Sequence, residues 1–317
     1  MRALALVMLF GCSNTPITIA DSGTDTGLEA DTDTDTDTDT DADADSDSDA
    51  DSDADTDADT DTDVGNLTDF TADGGGSVTT STASETLTSC SMSYTRYSPG
   101  SGAAGPLVVL SHGFARGQAE MANWAGHLAS WGVDVITPSL CHASLFDTDH
   151  AQNGADLVEL VTALGASNVI YVGHSAGGLA SYAAAAADSR TLALFGLDPV
   201  DNDLAGGLTV TAPSAAVHGV AQQCNTNNNM IGFYDRELRV TDADHCDFEN
   251  PTNGLCSFGC PSGGSGFTDE QIRSAIGQQL TAFVLWQAGL EADGAAYWET
   301  SGAGYQALIG SGAASAL

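Results

Sequence analysis

Short apolar runs alternate with helix-like segments along the chain after residue 66. The apolar runs predict buried strands, and they lie at 107–110, 133–137, 169–172, 192–197, 215–220 and 238–241. Apolar or alanine-rich segments with helical spacing predict helices, which we place at 118–131, 153–164, 179–187 and 267–290. Strands that alternate with helices in this way predict an α/β fold with a mostly parallel, doubly wound sheet.

The two flanks of this region have different patterns. Residues 77–97 alternate Thr and Ser with apolar side chains, which predicts an edge hairpin of two strands. Thr268 is the predicted cap of the last helix, because Glu270 and Gln271 follow it in the first turn. We expect the Gly/Ala-rich C-terminal segment to pack on the body through its aromatic residues, Tyr297, Trp298 and Tyr305.

The N-terminus reads as a targeting segment. A charged start and an apolar run precede Cys12, and this pattern predicts a short export signal over residues 1–12 that cannot span a bilayer as a helix. Residues 9–12, Leu-Phe-Gly-Cys, resemble a bacterial lipobox, which predicts a lipid on Cys12. We therefore expect an exported protein, either an outer-membrane or cell-surface lipoprotein or an extracellular protein.

Aspartate occupies every second position from 31 to 63, interleaved with Thr, Ala and Ser. Such a segment has too little apolar surface to offset the entropy cost of ordering, so we predict a disordered, extended linker over 13–66. Calcium-binding loops would need punctuating glycines, which this run lacks. Residues 67–317 remain as the catalytic domain, and it is large enough for one substantial core.

Charge and cysteine content limit the classes of partner. The chain has seven Lys+Arg, all arginine, against 44 acidic residues, for a formal net charge of −37. This balance argues against nucleic acid or an anionic membrane as a partner. We expect a monomer that contacts a membrane only through a lipid on Cys12.

Six cysteines remain when Cys12 is set aside, and export favours their oxidation. They predict up to three disulfides, whose pairing stays open. Cys246, Cys256 and Cys260 lack a paired C-x-x-C, so we predict no metal site there. Cys246 paired with Cys256 or Cys260 would close a short loop.

Residues 173–177, Gly-His-Ser-Ala-Gly, form a G-x-S-x-G motif between a predicted strand and a predicted helix. In this context the serine lies on a sharp turn at a strand end, so Ser175 is a candidate nucleophile. The alternative is a glycine-rich turn with a capping serine. The Ala176 N–H would face a developing oxyanion, and the Phe114 N–H, after the strand at 107–110, is the candidate second donor.

A nucleophilic serine needs a histidine base and an orienting acid, which follow it in the chain order of such enzymes. His245 lies in a polar loop after the last strand and is the candidate base, whereas His218 lies within an apolar run and is expected to be structural. Asp198 ends the strand at 192–197 and is the candidate acid, with Asp201 as the second choice.

Other polar residues near these positions are expected to be structural. We assign local hydrogen bonds to His112 and His174, and loop solvation to Asp242 and Asp244.

These residues resemble the α/β-hydrolase family, within it the branch of chlorophyllases and bacterial polyester-hydrolase or dienelactone-hydrolase-like esterases. The resemblance covers about residues 105–290 and rests on LVVLSHGF at 107–114, VGHSAGG at 172–178 and LFGLDPVD at 194–201. It implies an α/β-hydrolase fold and supports Asp198 as the acid. Ala176 stands where chlorophyllases usually carry Arg, so the resemblance does not imply chlorophyll as the substrate.

We therefore predict a serine carboxylic ester hydrolase that works through Ser175, His245 and Asp198 and an acyl-enzyme intermediate. Its substrates would be small-molecule or polymeric esters, from lipid-like or short-acyl esters to polyesters. No cofactor is required. The alternative is a non-catalytic surface display or adhesion protein built on a hydrolase fold.

Overall fold

The computed structural model describes residues 67–103 and 105–317. The predicted export signal over 1–12, the acylated Cys12 and the predicted linker over 13–66 lie outside the described residues. In the described part, the strands are β1 Val78–Thr86, β2 Ser91–Pro99, β3 Leu107–Ser111, β4 Asp134–Pro138, β5 Ala143–Ser144, β6 Asp147–Thr148, β7 Val169–His174, β8 Thr191–Leu197, β9 Ser214–His218, β10 Arg236–Val240 and β11 Ala314–Ala316. The α-helices there are α1 Ala122–Ser130, α2 His150–Ala163, α3 Ala176–Ala187, α4 Gly254–Gly259, α5 Asp269–Gln287 and α6 Ala303–Gly310.

The described strands form a nine-stranded sheet in the order β1-β2-β4-β3-β7-β8-β9-β10-β11, beside a small β5–β6 hairpin. From β4 to β10 in that order, all neighbouring strands run parallel. The edges are antiparallel, through β2 on β4, β1 on β2, and β11 on β10. The predicted mostly parallel sheet and the predicted edge hairpin are confirmed.

Helices cover both faces of this sheet because the buried strands are apolar on both sides. Along β3, Val108 and Leu110 face a core that contains Trp124 and Leu128 of α1 and Leu280 of α5. Leu107 and Val109 face the opposite core, which is built on α2 and α3. The alternation along one strand thus feeds two separate cores, and the carboxyl ends of the parallel strands meet at one edge.

Several element boundaries differ from the prediction for local reasons. The helix predicted over 118–131 starts as a 3-10 turn at Gln118–Met121 before α1. Helix α2 starts at His150, before the predicted residue 153, because the Asp149 side chain accepts a hydrogen bond from the Gln152 N–H and caps it. Thr268 caps α5 as predicted, in a capping box with Gln271.

The C-terminal segment packs on the body as expected. Tyr297, Trp298 and Tyr305 are buried in the core on the α1 and α5 face. The Tyr297 hydroxyl donates to the Thr68 carbonyl at 2.8 Å, which ties the two ends of the described domain together. The pairing of β11 with β10 was not predicted, because residues 314–316 are small and carry no strand pattern. Within the described residues, no helix is both long and apolar enough to cross a membrane.

Candidate active site

Ser175 lies on the turn between β7 and α3, with φ of 56° and ψ of −127°. This left-handed backbone is strained for a residue with a side chain. It is held by backbone hydrogen bonds from Ser175 N–H to Leu197 O at 3.1 Å and from Val200 N–H to Ser175 O at 3.1 Å. A β-carbon at Gly177 would overlap the His112 carbonyl, so only glycine permits this close approach of the turn to β3.

The turn presents the Ser175 hydroxyl to His245 at the carboxyl edge of the sheet. Ser175 Oγ is 2.9 Å from His245 Nε2, and His245 Nδ1 is 2.6 Å from Asp198 Oδ2. Ser175 and His245 are 7% and 6% exposed, whereas Asp198 is fully buried. The structure therefore brings together the three residues that the sequence analysis selected, from positions 47 and 70 residues apart.

Asp198 ends β8 and sits in a pocket of donors. Besides His245 Nδ1–H, the carboxylate accepts from Gly219 N–H at 2.9 Å and from Asn225 Nδ2–H at 3.1 Å. Burial opposes ionisation, but the hydrogen bond and electrostatic interaction with His245, together with the Gly219 N–H, outweigh it, so the pKa of Asp198 lies below its usual value. Because Asp198 accepts from His245 Nδ1, that nitrogen carries the proton and Nε2 can accept the Ser175 proton.

The alternative candidates make other contacts. Asp201 Oδ1 accepts from the backbone N–H groups of Leu204 and Ala205 and so stabilises the turn beyond β8. His218 is fully buried in β9, with Nε2 3.7 Å from Glu237 Oε1.

His245 lies in the segment between β10 and α5, residues 241–268, which we call the histidine loop. This loop is irregular, and local contacts give it a definite shape. A 3-10 turn covers His245–Phe248 and is capped by the Asp244 side chain, which accepts from Cys246 N–H at 2.7 Å. Asp242 Oδ2 accepts from Gly266 N–H at 2.6 Å. The expectation that Asp242 and Asp244 are merely solvated was wrong, because both carboxylates bind backbone donors that the irregular loop would otherwise leave unpaired.

Two of the three disulfides have a cysteine in this loop. Among the described residues, the cysteines pair as Cys90–Cys141, Cys224–Cys260 and Cys246–Cys256, which confirms the predicted number of bridges and settles their connectivity. Cys246 follows His245 directly, and its bridge to Cys256 closes the short loop that the sequence allowed. The three clustered cysteines 246, 256 and 260 thus use their sulfurs in covalent bonds.

Two further histidines support the loops around Ser175. His112 Nδ1–H donates to Gly113 O at 2.8 Å, while Nε2 accepts from Leu140 N–H at 2.9 Å. His174 Nε2–H donates to the His245 carbonyl at 3.0 Å, which ties the strand before Ser175 to the histidine loop. Burial first, and then the electrostatic interaction with the His245 ring, hold the pKa of His174 well below its usual value, so this ring is neutral.

The two candidate oxyanion donors remain available to a ligand. Neither the Phe114 N–H nor the Ala176 N–H donates a hydrogen bond to another group in residues 67–103 or 105–317. Ala176 begins α3, and its N–H is one of the donors that a helix start leaves without an intrahelical partner. Phe114 follows β3, where the loop turns past Ser175 and its side chain is 38% exposed.

A cleft of about 170 Å³ opens on Ser175 and His245. Phe114 and Arg116 line it from the loop after β3, and Glu249 lines it from the histidine loop. This volume is below the range of about 300–1,000 Å³ typical of sites for drug-sized ligands, so the cleft encloses only a small group. A larger groove of about 780 Å³ lies along α5 and includes none of Ser175, His245 and Asp198, so we place the chemistry in the smaller cleft.

Sequence reasoning missed Asn225, Arg116 and Glu249. Asn225 lies in the loop after β9, and its side-chain amide donates to Asp198 from there. Arg116 and Glu249 are 133 residues apart, and no motif links them. A signal for Arg116 was its place two residues after Phe114 in a chain with few basic residues.

Comparison with known proteins supports the fold. A family model described as the alpha/beta hydrolase family matches residues 108–306, a span that includes Ser175, Asp198 and His245. A search of curated proteins found no match to the chain.

Proposed function

The chain belongs to the alpha/beta hydrolase family, and from this premise we propose that it is a serine carboxylic ester hydrolase. The observation that supports this proposal is the continuous hydrogen-bonded path from Ser175 Oγ through His245 to Asp198. A serine hydroxyl is a weak nucleophile until a positioned base takes its proton, and this path supplies the base and the group that orients it.

In the proposed reaction, Ser175 Oγ attacks the ester carbonyl carbon while its proton moves to His245 Nε2. Asp198 stabilises the resulting imidazolium through the 2.6 Å contact to Nδ1. The tetrahedral intermediate collapses, and His245 gives its proton to the departing alkoxide. Water then loses a proton to His245 and attacks the acyl-enzyme. The second tetrahedral intermediate releases the carboxylic acid as His245 returns the proton to Ser175 Oγ.

The carbonyl oxygen becomes negatively charged at each tetrahedral stage. We assign its stabilisation to the unpaired N–H groups of Phe114 and Ala176, which lie on the loop after β3 and at the start of α3. Donors fixed in place before the reaction lower the barrier because they need no reorganisation when the charge develops.

The surroundings of the cleft favour a short group inside it and an apolar remainder of the ester or polyester chain outside it. The enclosed volume of about 170 Å³ has room for only a small part of such a substrate. Outside it, Leu145 and Phe146 at the tip of the β5–β6 hairpin are 75% and 100% exposed. Ala115 N–H donates to Ala143 O at 2.7 Å, so the base of this hairpin adjoins the Phe114 loop. The remainder of an apolar substrate would lie across these side chains.

We further propose that the enzyme is exported, with a lipid on Cys12 and the acidic segment over 13–66 as a spacer between the membrane and the catalytic domain.

The test is turnover of p-nitrophenyl acetate and butyrate by the wild-type protein and by Ser175→Ala. We expect the variant to lose activity by about 10⁴-fold or more, because no other group can form the acyl-enzyme. A matched control is Ser181→Ala, which removes a buried hydroxyl that bonds Val172 O rather than His245. Wild-type activity no higher than that of Ser175→Ala would favour the non-catalytic display protein instead.

A further inference from the structure

A buried ion pair forms one wall of the catalytic cleft and has no part in the triad. Arg116 Nε–H donates to Glu249 Oε1 at 2.6 Å, with side-chain exposures of 10% and 0%. Thr252 Oγ1–H donates to the other carboxylate oxygen at 3.2 Å. Removing two charges from water costs about as much as their attraction returns. Stability alone therefore does not explain a charged pair at this position. A ligand that binds the arginine would explain it.

Arg116 has donors left over. A guanidinium carries five N–H donors in a planar fork. In the described part of the chain, only the Nε–H of Arg116 donates to a protein group. The two terminal nitrogens make no such bond there and are not fully buried. Since Arg116 lines the cleft beside Ser175, the unoccupied edge of its fork is open to a ligand there.

Among the described residues, Arg116 is the only cation that lines the cleft. His174 is neutral, because burial holds its pKa low. Glu120, the nearest other acid of the Arg116 loop, is engaged by Gly117 N–H at 3.0 Å and by Asn253 Nδ2–H at 2.7 Å. Glu249 fixes the Nε side of the guanidinium and so pre-orients the free edge.

We propose that Arg116 forms an anion subsite within the cleft and that the enzyme prefers esters carrying a carboxylate a few atoms from the scissile carbonyl. The substrate class is thus a half-ester of a short dicarboxylic acid or an ester of a short hydroxy acid, and the free chain end of a polyester presents the same group. A carboxylate fits the guanidinium edge through two parallel N–H···O bonds. The small cleft restricts the spacing between carbonyl and carboxylate. This inference rests on the proposed esterase function.

The experiment compares matched pairs of anionic and neutral esters. For the acyl side, we would measure kcat/KM for p-nitrophenyl hemiglutarate and p-nitrophenyl isoheptanoate, which replaces the carboxylate by an isopropyl group. For the alcohol side, the pair is para-acetoxybenzoate and para-acetoxyacetophenone. Ser175→Ala supplies the background rate. We expect wild type to favour the anionic member of at least one pair and Arg116→Gln to reduce that ratio by about 10- to 100-fold, the value of hydrogen bonds to a charged group.

Two further variants test whether the guanidinium fork of Arg116 determines the preference for the anionic ester. Arg116→Lys keeps the charge but not the fork, so its ratio should fall between those of wild type and Arg116→Gln. Arg96→Gln is the matched control, because Arg96 is 41% exposed and pairs with Asp134 at the other end of the parallel strands. It should leave the ratio unchanged. A wild-type ratio at or below one in both pairs, or a ratio that Arg116→Gln retains, overturns the proposal.

Binding without turnover separates this proposal from the esterase assignment. Calorimetric titration of Ser175→Ala with glutarate should give a dissociation constant that rises about 10-fold or more when Arg116→Gln is added. If wild type hydrolyses no ester but glutarate binds in an Arg116-dependent way, the esterase proposal fails and the anion subsite stands. If neutral esters are hydrolysed and glutarate binds equally with and without Arg116, only the subsite is overturned.

Discussion

Ser175 and His245 are in contact, yet the turn that carries one and the loop that carries the other are built by opposite means. In the serine turn, Ser175 is the single residue between β7 and α3, and the strand and helix on either side hold it. The histidine loop contains a 3-10 turn and is bounded by the Cys246–Cys256 and Cys224–Cys260 bridges. Core packing positions the nucleophile, whereas cross-links and side-chain caps position the base.

The difference follows from where the backbone hydrogen bonds go. At the serine turn, backbone groups pair with β8 and with the first turn of α3, so glycines that allow close approach are sufficient. The histidine loop has no ladder to join, and Asp242, Asp244 and Asp247 accept from its backbone N–H groups instead. An irregular segment loses more entropy per contact on ordering, and covalent bridges offset part of that loss.

The largest effect is expected at the strand-held half of the site. Asp198→Asn should lower kcat by about 10⁴-fold, because an amide at this position favours the wrong histidine tautomer and cannot stabilise the imidazolium. Asp201→Asn is the matched control, because its carboxylate caps a turn and should affect kcat by less than about 10-fold. Steady-state kinetics on p-nitrophenyl butyrate measures both, and equal losses in the two variants would show that the site is assigned to the wrong acid.

The disulfides offer the sharpest test of the comparison, because their effects on stability and activity should run in opposite orders. Cys246 and Cys256 are 10 residues apart, whereas Cys90 and Cys141 are 51 apart. Loop entropy predicts losses in the free energy of unfolding of about 3 and about 4 kcal/mol when each pair is changed to serine. Removing Cys246–Cys256 should nevertheless cost more activity, about 100-fold in kcat/KM, because His245 is displaced.

Urea unfolding and ester kinetics on the two double-serine variants give these numbers. The contrast between the two halves of the site fails if Cys90→Ser with Cys141→Ser lowers kcat/KM as much as the pair beside His245 does.

A smaller effect concerns Asp247, which is nearly buried in the histidine loop. Burial raises its pKa from 3.8 to about 6. The folded state therefore holds a proton that the unfolded chain releases above pH 3.8, so this group's contribution to stability falls as pH rises from about 4 to 6. Asp247→Asn removes the ionisation and should raise the free energy of unfolding at pH 8 by up to about 3 kcal/mol, with little change at pH 4.

Urea unfolding of wild type and Asp247→Asn across pH 4 to 8 checks this sign and window. An equal difference at both ends of the range would mean that the carboxylate is not destabilised by its surroundings. Asp244→Asn serves as the comparison, because Asp244 caps the same turn through Cys246 N–H.

The extent of the fold that could be read from the sequence depended on the kind of pattern. Apolar runs such as 107–110 and 169–172 correspond to β3 and β7, because strands buried on both faces admit only apolar side chains. Boundaries set by side-chain caps were less accurate, as at Asp149 before α2. Strand β11 was not predicted because its residues carry no strand pattern, and it forms by pairing with the edge of β10.

The residues of the candidate site were likewise predictable only where the signal was local. Gly173 to Gly177 marked Ser175 because the turn makes its steric demands on adjacent residues. The choice between Asp198 and Asp201 stayed open in the sequence, since both follow the same strand, and only the path of the chain toward His245 separates their contacts. The sequence offered Cys246 with either Cys256 or Cys260, but no local pattern linked Cys90 to Cys141 or Arg116 to Glu249, because these pairs join distant segments.

The sequence by itself therefore determined the alternation of strands and helices and the tight turn at Ser175, since these are local consequences of side-chain size, polarity and backbone freedom. Tertiary structure decided which carboxylate meets His245, which cysteines pair and which arginine faces the cleft. Those outcomes depend on loops that meet at the carboxyl edge of the sheet, and the relative placement of loops comes from packing over the whole domain rather than from any one stretch of residues.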